Sequence, residues 1–346
     1  MRSEQTARLQ ERLMSWATAR TSATRPGGAP GVATIVAEDP DHVEALLAGD
    51  CVDDDSVILS PDEHPDPRVV RYRGSLTVPG DEGSINDEVF LQTQEYRSCP
   101  YVSVLGPTFV RITHPTDLDV FLRDADAARA TGQIADYLLE PALRVADGCA
   151  LGESAGGAGP RSRLVVRGGG EVSTSPTGTA LGAVGDGLAE LVRRHDEIND
   201  AATQPCAVSL GAVVDDQVRT QALDSRPWLG RYLAGVDAIK ALRARGGTGL
   251  HLSGFGHRLS SAVEGIDARD ETSPLLLLWS DDAAYVVEPA TRRTVRIALR
   301  TGALVEAILV AGSVEAAAAV VDPTAVAEVG RTLSAAGFPV PSGVLA

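Results

Sequence analysis

Gly152-Glu153-Ser154-Ala155-Gly156 fits G-x-S-x-G, the densest chemical motif in the chain. On such a sharp strand-to-helix turn a serine hydrolase exposes its nucleophile to a histidine and an oxyanion hole, and the glycines serve because the turn leaves no room for flanking side chains. The surroundings argue against it. Asp147-Gly148 stands where a strand should enter, Gly156–Pro160 (GGAGP) where a helix should leave, and no HGGG-type loop lies upstream. A flexible connector is the better reading, with a serine hydrolase using Ser154 as the alternative.

Other reactive residue types are scattered. His251 and His257 flank Ser253-Gly254-Phe255-Gly256, but no carboxylate or thiol inside the turn supplies a third metal ligand. A hairpin turn with ordinary histidines is favoured. Asp53-Asp54-Asp55 lacks the spacing that wraps oxygens around calcium and reads as a solvated loop. Gly168–Gly170 precedes a strand, so no helix N-terminus is there to hold a phosphate. The four cysteines, Cys51, Cys99, Cys149 and Cys206, form no C-x-x-C pair and read as free thiols. No metal or cofactor is expected.

The elements that would position these residues are mixed. Leu9, Leu13 and Trp16 predict an amphipathic first helix, and Arg25–Gly31 a Pro/Gly connector. Strands are predicted at Gly31–Ala37, Val57–Leu59, Val69–Val78, Val89–Tyr96, Tyr101–Ile112 (interrupted at Gly106-Pro107), Arg163–Arg167 and Cys206–Val214. Helices are predicted at Asp41–Ala48, Thr116–Ala130, Leu188–Asn199 and Leu229–Arg243. Arg226–Leu233 (RPWLGRYL) reads as a buried Trp228 starting that last helix, or else as an interface patch. The expected fold is an α/β or α+β body over 1–272, which would divide into two lobes near 152–160.

Residues 274–346 read as a winged-helix-like module of three strands and three helices. Leu275–Ser280, Ala283–Glu288 and Arg293–Leu299 are hairpin-linked strands, the last alternating Val295, Ile297 and Leu299 with Thr294, Arg296 and Ala298. Asp322-Pro323 is an N-cap with an N1 proline, opening a third helix that carries Val326, Val329 and Leu333 on one face.

Charge narrows the function. The 346 residues carry a formal net charge of −16, with one lysine, Lys240, against thirty arginines. That argues against nucleic acid or anionic lipid as partner. Residues 38–67 hold eleven Asp or Glu and no Lys or Arg. The first twenty residues break any signal-peptide core with Glu4 and Glu11, and no apolar run suits a membrane span. A soluble, cytoplasmic protein is expected. In the module, the third helix offers only Arg331 beside Glu328, too little for a DNA-reading helix. Arg292, Arg293, Arg296 and Arg300 instead gather on or beside the third strand, an expected sheet edge. Such an edge suits an acidic, apolar-anchored peptide added as a further strand; edge charges that merely prevent aggregation are an equal reading.

The order of strands and helices, with the hairpin AAYVVEPATRRTVRIAL, resembles the PqqD-like RiPP recognition element. QEYRSCPYVSVLGPTFVRI (94–112), STSPTGTALG (173–182), PCAVSLG (205–211), RPWLGRYL and SGFG extend the likeness over about 85–340, to the daptide biosynthesis RiPP recognition proteins. The resemblance implies a non-catalytic adaptor that holds a precursor's leader peptide. The tailoring enzymes served would be an oxidative decarboxylase, an aminotransferase and a methyltransferase. It implies that the leader pairs along Arg293–Leu299 (Arg293, Val295, Arg296, Ile297, Leu299) and rests against Val326, Val329 and Leu333. Residues 274–346 alone would then bind leader, while the body docks the enzymes. RLVVRGGGEVSTSPTGTALG is also similar to the strand–turn segment of radical-SAM accessory domains, but Ser173 and Ser175 stand where a cluster cysteine would be expected.

Overall fold

Alternating apolar residues bury both faces of the first strands, and that fixes the larger of two units. The computed structural model describes residues 2–20, 30–153, 156–266 and 268–341. One unit is Met1–Leu122 with Ala142–Arg226, the other Arg123–Pro141 with Pro227–Ala346.

The first unit opens with α1 (Arg2–Thr18), β1 (Thr34–Ala37), α2 (Val43–Ala48), β2 (Val57–Ser60) and β3 (Val69–Gly74). Next come β4 (Glu82–Ile85), β5 (Val89–Glu95), β6 (Thr108–Arg111), α3 (Pro115–Thr131) and β7 (Leu143–Val145). β8 (Arg163–Val166), β9 (Glu171–Ser173), β10 (Gly182–Ala183), α4 (Leu188–Ala201), α5 (Ala207–Leu210) and α6 (Asp216–Asp224) complete it, α3 running past the unit's end at Leu122. Ten strands form one mixed sheet, in the order β10-β9-β8-β1-β2-β3-β4-β5-β6-β7, in which β8, β1, β2 and β3 run parallel. Ile35, Ala37, Ile58, Leu164 and Val166 enter one core with Leu188 and Leu191 of α4. Their neighbours Val36, Leu59 and Val165 enter the opposite core with Leu13 and Trp16 of α1. A period of two therefore supplies a core to each face, as a covered parallel sheet requires.

The second unit continues with α7 (Leu229–Arg243), β11 (His251–Leu252), β12 (Leu276–Trp279), β13 (Ala284–Glu288), β14 (Arg293–Ile297), α8 (Leu299–Ala311), α9 (Val314–Ala317) and α10 (Pro323–Ala335). Its antiparallel sheet has the order β11-β12-β13-β14. Leu275, Leu277, Trp279, Ala284 and Val286 face Val305, Leu309 and Leu333 of the helices. α8 can lie this close because position 302 is glycine: a Cβ there would meet the Ala284 Cβ at 2.5 Å. Asp322 caps α10 by accepting from the Thr324 and Ala325 amides, with Pro323 at N1.

The mixed α/β class holds, with a ten-stranded sheet and a four-stranded one. Four local expectations are corrected. Cys206–Val214 is not a strand: Cys206 takes a left-handed φ of 62° and Ala207–Leu210 form a buried helical turn. Of the run 101–112 only Thr108–Arg111, beyond the expected break at Gly106-Pro107, is strand; a 3-10 turn at Tyr96–Tyr101 takes the place of its first part. Leu299 is not in the third strand, because Ala298 caps a helix that Leu299 begins. The division of the chain falls at 122/123, 141/142 and 226/227, rather than at 152–160 and 272/274. Its physical basis is that β11 pairs with β12, while Leu259 and Val263 pack into the cores beneath α8. A fragment 274–346 would remove that strand and those side chains. The connector at 25–31 lies, up to residue 29, outside the described residues.

Candidate functional site: the edge of the four-stranded sheet

β14 pairs with β13 from Glu288↔Arg293 to Ala284↔Ile297, and no described strand lies on its other side. Its backbone donors and acceptors on that side are available to an added chain. The side chains split as the pleat dictates. Val295 and Ile297 turn inward, half-buried against the core under the helices, while Arg296 is exposed. Arg292 and Arg300 are exposed at the two ends of the strand. Arg292 holds a left-handed φ of 57°, which closes the β13–β14 turn.

Arg293 has the parity of Val295 and Ile297 and so points toward the helix side, where its guanidinium lies 4.1 Å from the centroid of the Phe338 ring. Phe338 is held there by the end of α10. Gly337, at φ 77°, donates its amide to the Ser334 carbonyl, and the Phe338 amide donates to Leu333 at 3.0 Å. These two bonds, with Phe338 against Leu333 in the core, make a Schellman ending.

Of the residues expected to contact a peptide, Arg293, Val295, Arg296 and Ile297 share one edge. Val329 is half-buried between both helix-side cores. Val326 and Leu333 are interior, 0% and 8% exposed, and belong to the cores rather than to the surface beside the strand. Leu299 packs against the same core from the first turn of α8. Phe338, which is not among the expected residues, joins the strand to α10. Its sequence signal is the Gly337–Phe338 step after a helix, where a hydrophobic residue commonly closes a Schellman motif.

Behind the strands, Glu306 of α8 is fully buried and accepts from the Ser253 hydroxyl at 2.6 Å and the Leu259 and Ser260 amides at 3.0 and 2.7 Å. Asp270 accepts from Arg258 at 2.6 Å and stands 3.5 Å from Arg231. Burial pushes the Asp270 carboxyl up; the Arg258 hydrogen bond and the charges of Arg231 and Arg258 outweigh it, so it titrates below its ordinary 3.8.

The remaining motifs are accounted for structurally. His251 stacks on Trp279, and its ring lies 6.0 Å from that of His257; no group of three potential metal ligands exists among the described residues. In the SGFG turn, buried Phe255 stacks on Tyr232 and meets Trp228 edge-on, which places Trp228 in the interior. Asp53 organises its own loop, accepting from the Gly31 and Asp55 amides and the Ser56 hydroxyl. Gly168–Gly170 forms the β8–β9 turn. Ser154 lies outside the described residues. No described helix is long and apolar enough to cross a membrane. No family model matches the chain, and no curated protein or solved structure matches it significantly.

Proposed function

We propose that this chain is a peptide-binding adaptor that adds an extended, acidic peptide to β14 as a fifth strand. The observation that carries the proposal is the edge itself: a strand with a described partner on one side only, bearing or flanked by Arg292, Arg293, Arg296 and Arg300, in a chain whose net charge is −16. Main-chain pairing supplies affinity in this mode, and side chains alternately facing pockets and solvent supply selectivity. A carboxylate-bearing segment would meet Arg296 on the outer face and Arg300 past the strand's end. An apolar side chain would meet Val295, Ile297 and Val329 on the inner face.

Three strands followed by three helices, β12 through α10, support reading this part as a winged-helix RiPP recognition element, with β11 as an addition. On that reading the peptide is the leader of a ribosomally made precursor. The partners are then the oxidative decarboxylase, aminotransferase and methyltransferase of daptide-type maturation, presented with a substrate that this chain does not itself alter. Tethering leader and enzyme on one scaffold makes their encounter effectively intramolecular, at an effective concentration of about a millimolar for a short tether.

Fluorescence polarisation of labelled leader peptides, from the precursor reading frames beside the gene, tests the proposal on the full chain. Saturable binding below about 100 μM, or about −5.5 kcal/mol, is expected. Its absence for every such leader overturns the assignment.

A further inference from the structure

In the first unit an apolar surface lies open where the core of one sheet face ends. On the face that α4 covers, Val69 of β3 is the last core residue on that side, and β4 and β5 contribute none. The same face continues through Arg73, Ser84 and Phe90, which are cross-strand partners in register. A sheet face turned toward water ordinarily carries polar residues, as Arg73 and Ser84 are, yet Phe90 is 65% exposed. Gln92 follows two positions along β5 and so shares that face. Its side-chain oxygen accepts from the Leu105 amide and the Thr108 hydroxyl, both at 3.2 Å, and its amide nitrogen donates to Glu82 at 3.3 Å. These bonds fix the loop between Tyr101 and Thr108 on the side of the sheet that carries Phe90. Leu105 is 79% exposed and Tyr101 88%.

Among the described residues, six large apolar side chains are exposed, and Val78, Phe90, Tyr101 and Leu105 are four of them. Single exposed apolar residues are ordinary; a group gathered on one surface marks a contact. The charges around it select the partner. Asp81 and Glu82 stand at the start of β4, Asp87 and Glu88 in the turn before β5, and all four are exposed. The cations nearby are already matched, Arg73 with Asp87 at 3.4 Å and Arg97 with Glu95 at 2.9 Å. Asp81 and Glu82 have no cationic partner among the described residues, which leaves the rim acidic. A two-fold contact with a second copy would set that rim against itself, in a chain of net charge −16. Like charges facing one another across an interface disfavour such a dimer.

We infer that Phe90, Tyr101 and Leu105 form a docking surface for a different protein, one that presents apolar side chains inside a rim of Lys or Arg. Phe90 and Leu105 are the anchors, and Asp81 and Glu82 meet the partner's cations. Anchors at the centre carry the affinity of such a contact, while complementary charge at the rim steers the encounter and selects the partner. The partner's identity rests on the adaptor reading: it is one of the tailoring enzymes to which the peptide is presented. The docking surface lies in the first unit and β14 in the second, so each can be disabled by itself.

The test immobilises the full-length chain and titrates it with each purified tailoring enzyme encoded beside its gene. Saturable binding of one enzyme is expected. Phe90→Ser combined with Leu105→Ser should weaken it about tenfold or more, as loss of interface anchors does. Val218→Ser, at an exposed apolar position elsewhere, should leave it unchanged. Asp81→Lys should weaken it chiefly at low ionic strength, and decides the matter if the double variant fails to fold. Leader binding, followed by polarisation on the same variants, should not change. Failure of every enzyme to bind, with or without leader binding, overturns the inference. So does equal affinity of the wild type and the folded variants, or a dimer of the chain that the double variant dissolves. Enzyme binding that depends on Phe90 and Leu105, in a chain that binds no leader, upholds the docking surface and sinks the peptide reading instead.

Discussion

The guanidinium of Arg293 lies 4.1 Å from the centroid of the Phe338 ring, joining the edge strand to the residue that ends α10. Arg293 thereby has an aromatic partner at the start of β14, whereas Arg296 is exposed. Replacing Phe338 with Ala removes both the ring under the guanidinium and a buried side chain from the core. Truncating a buried Phe costs about 3–5 kcal/mol. Phe338→Leu is therefore the cleaner variant. It should retain most stability by thermal denaturation, yet weaken leader binding several-fold by freeing Arg293. Unchanged affinity would show that the cation–π pair does not organise the edge.

Charge reversal separates the two arginines further. Arg296→Glu should weaken binding strongly at low ionic strength and much less at high salt, because exposed charges are screened over about 8–10 Å near physiological ionic strength. Arg293→Glu should be less salt-sensitive and should also lower the melting temperature, since it loses its aromatic partner. Polarisation titrations at two salt concentrations, beside melting curves, check both.

Glu306 ties the turn at 253–260 to α8 through three hydrogen bonds. Glu306→Ala leaves two amides and a hydroxyl without their acceptor in the interior. A loss of about 3 kcal/mol is expected in chemical denaturation, the range for breaking a buried, hydrogen-bonded charge. A change within about 0.5 kcal/mol, as at an ordinary surface position, would contradict this account.

Asp270 gives a pH signature. Its folded-state pKa is depressed below 3.8, so its contribution to stability is present above that ordinary value and is lost as pH falls through the lower, folded one. The wild-type chain should lose stability as acid is added below about pH 4, and Asp270→Asn should lose part of that dependence while being less stable at neutral pH. Denaturant melts at neutral pH and at about pH 3 provide the comparison.

The parts of this architecture that can be read from sequence are those carried by local signals. The β12–β14 meander is legible because Asp281-Asp282 and Pro289–Arg292 mark its turns and Val295 and Ile297 alternate with polar neighbours. α10 is legible from Asp322-Pro323. β9, β10 and β11 are two or three residues long, too short to show a period, and exist because a neighbouring strand offers them partners. Cys206–Val214 misleads because a short apolar run fits a buried helical turn as well as a strand. α6 is absent from the expected helices although Asp215 before Gln217 and Val218 is an N-cap signal, and its carboxylate accepts from both amides. At the site, the basic edge is visible as a cluster in sequence, but the interior placement of Val326 and Leu333 and the Arg293–Phe338 contact depend on tertiary packing.

The central claim is that a peptide pairs with β14, and amide hydrogen exchange on the full-length chain tests it most directly. With saturating leader peptide, slowed exchange is predicted at Arg293–Ile297, where new main-chain bonds form. β13, already paired on both sides, should change little. Protection elsewhere, with exchange along β14 unaltered while the peptide is bound, would contradict the account.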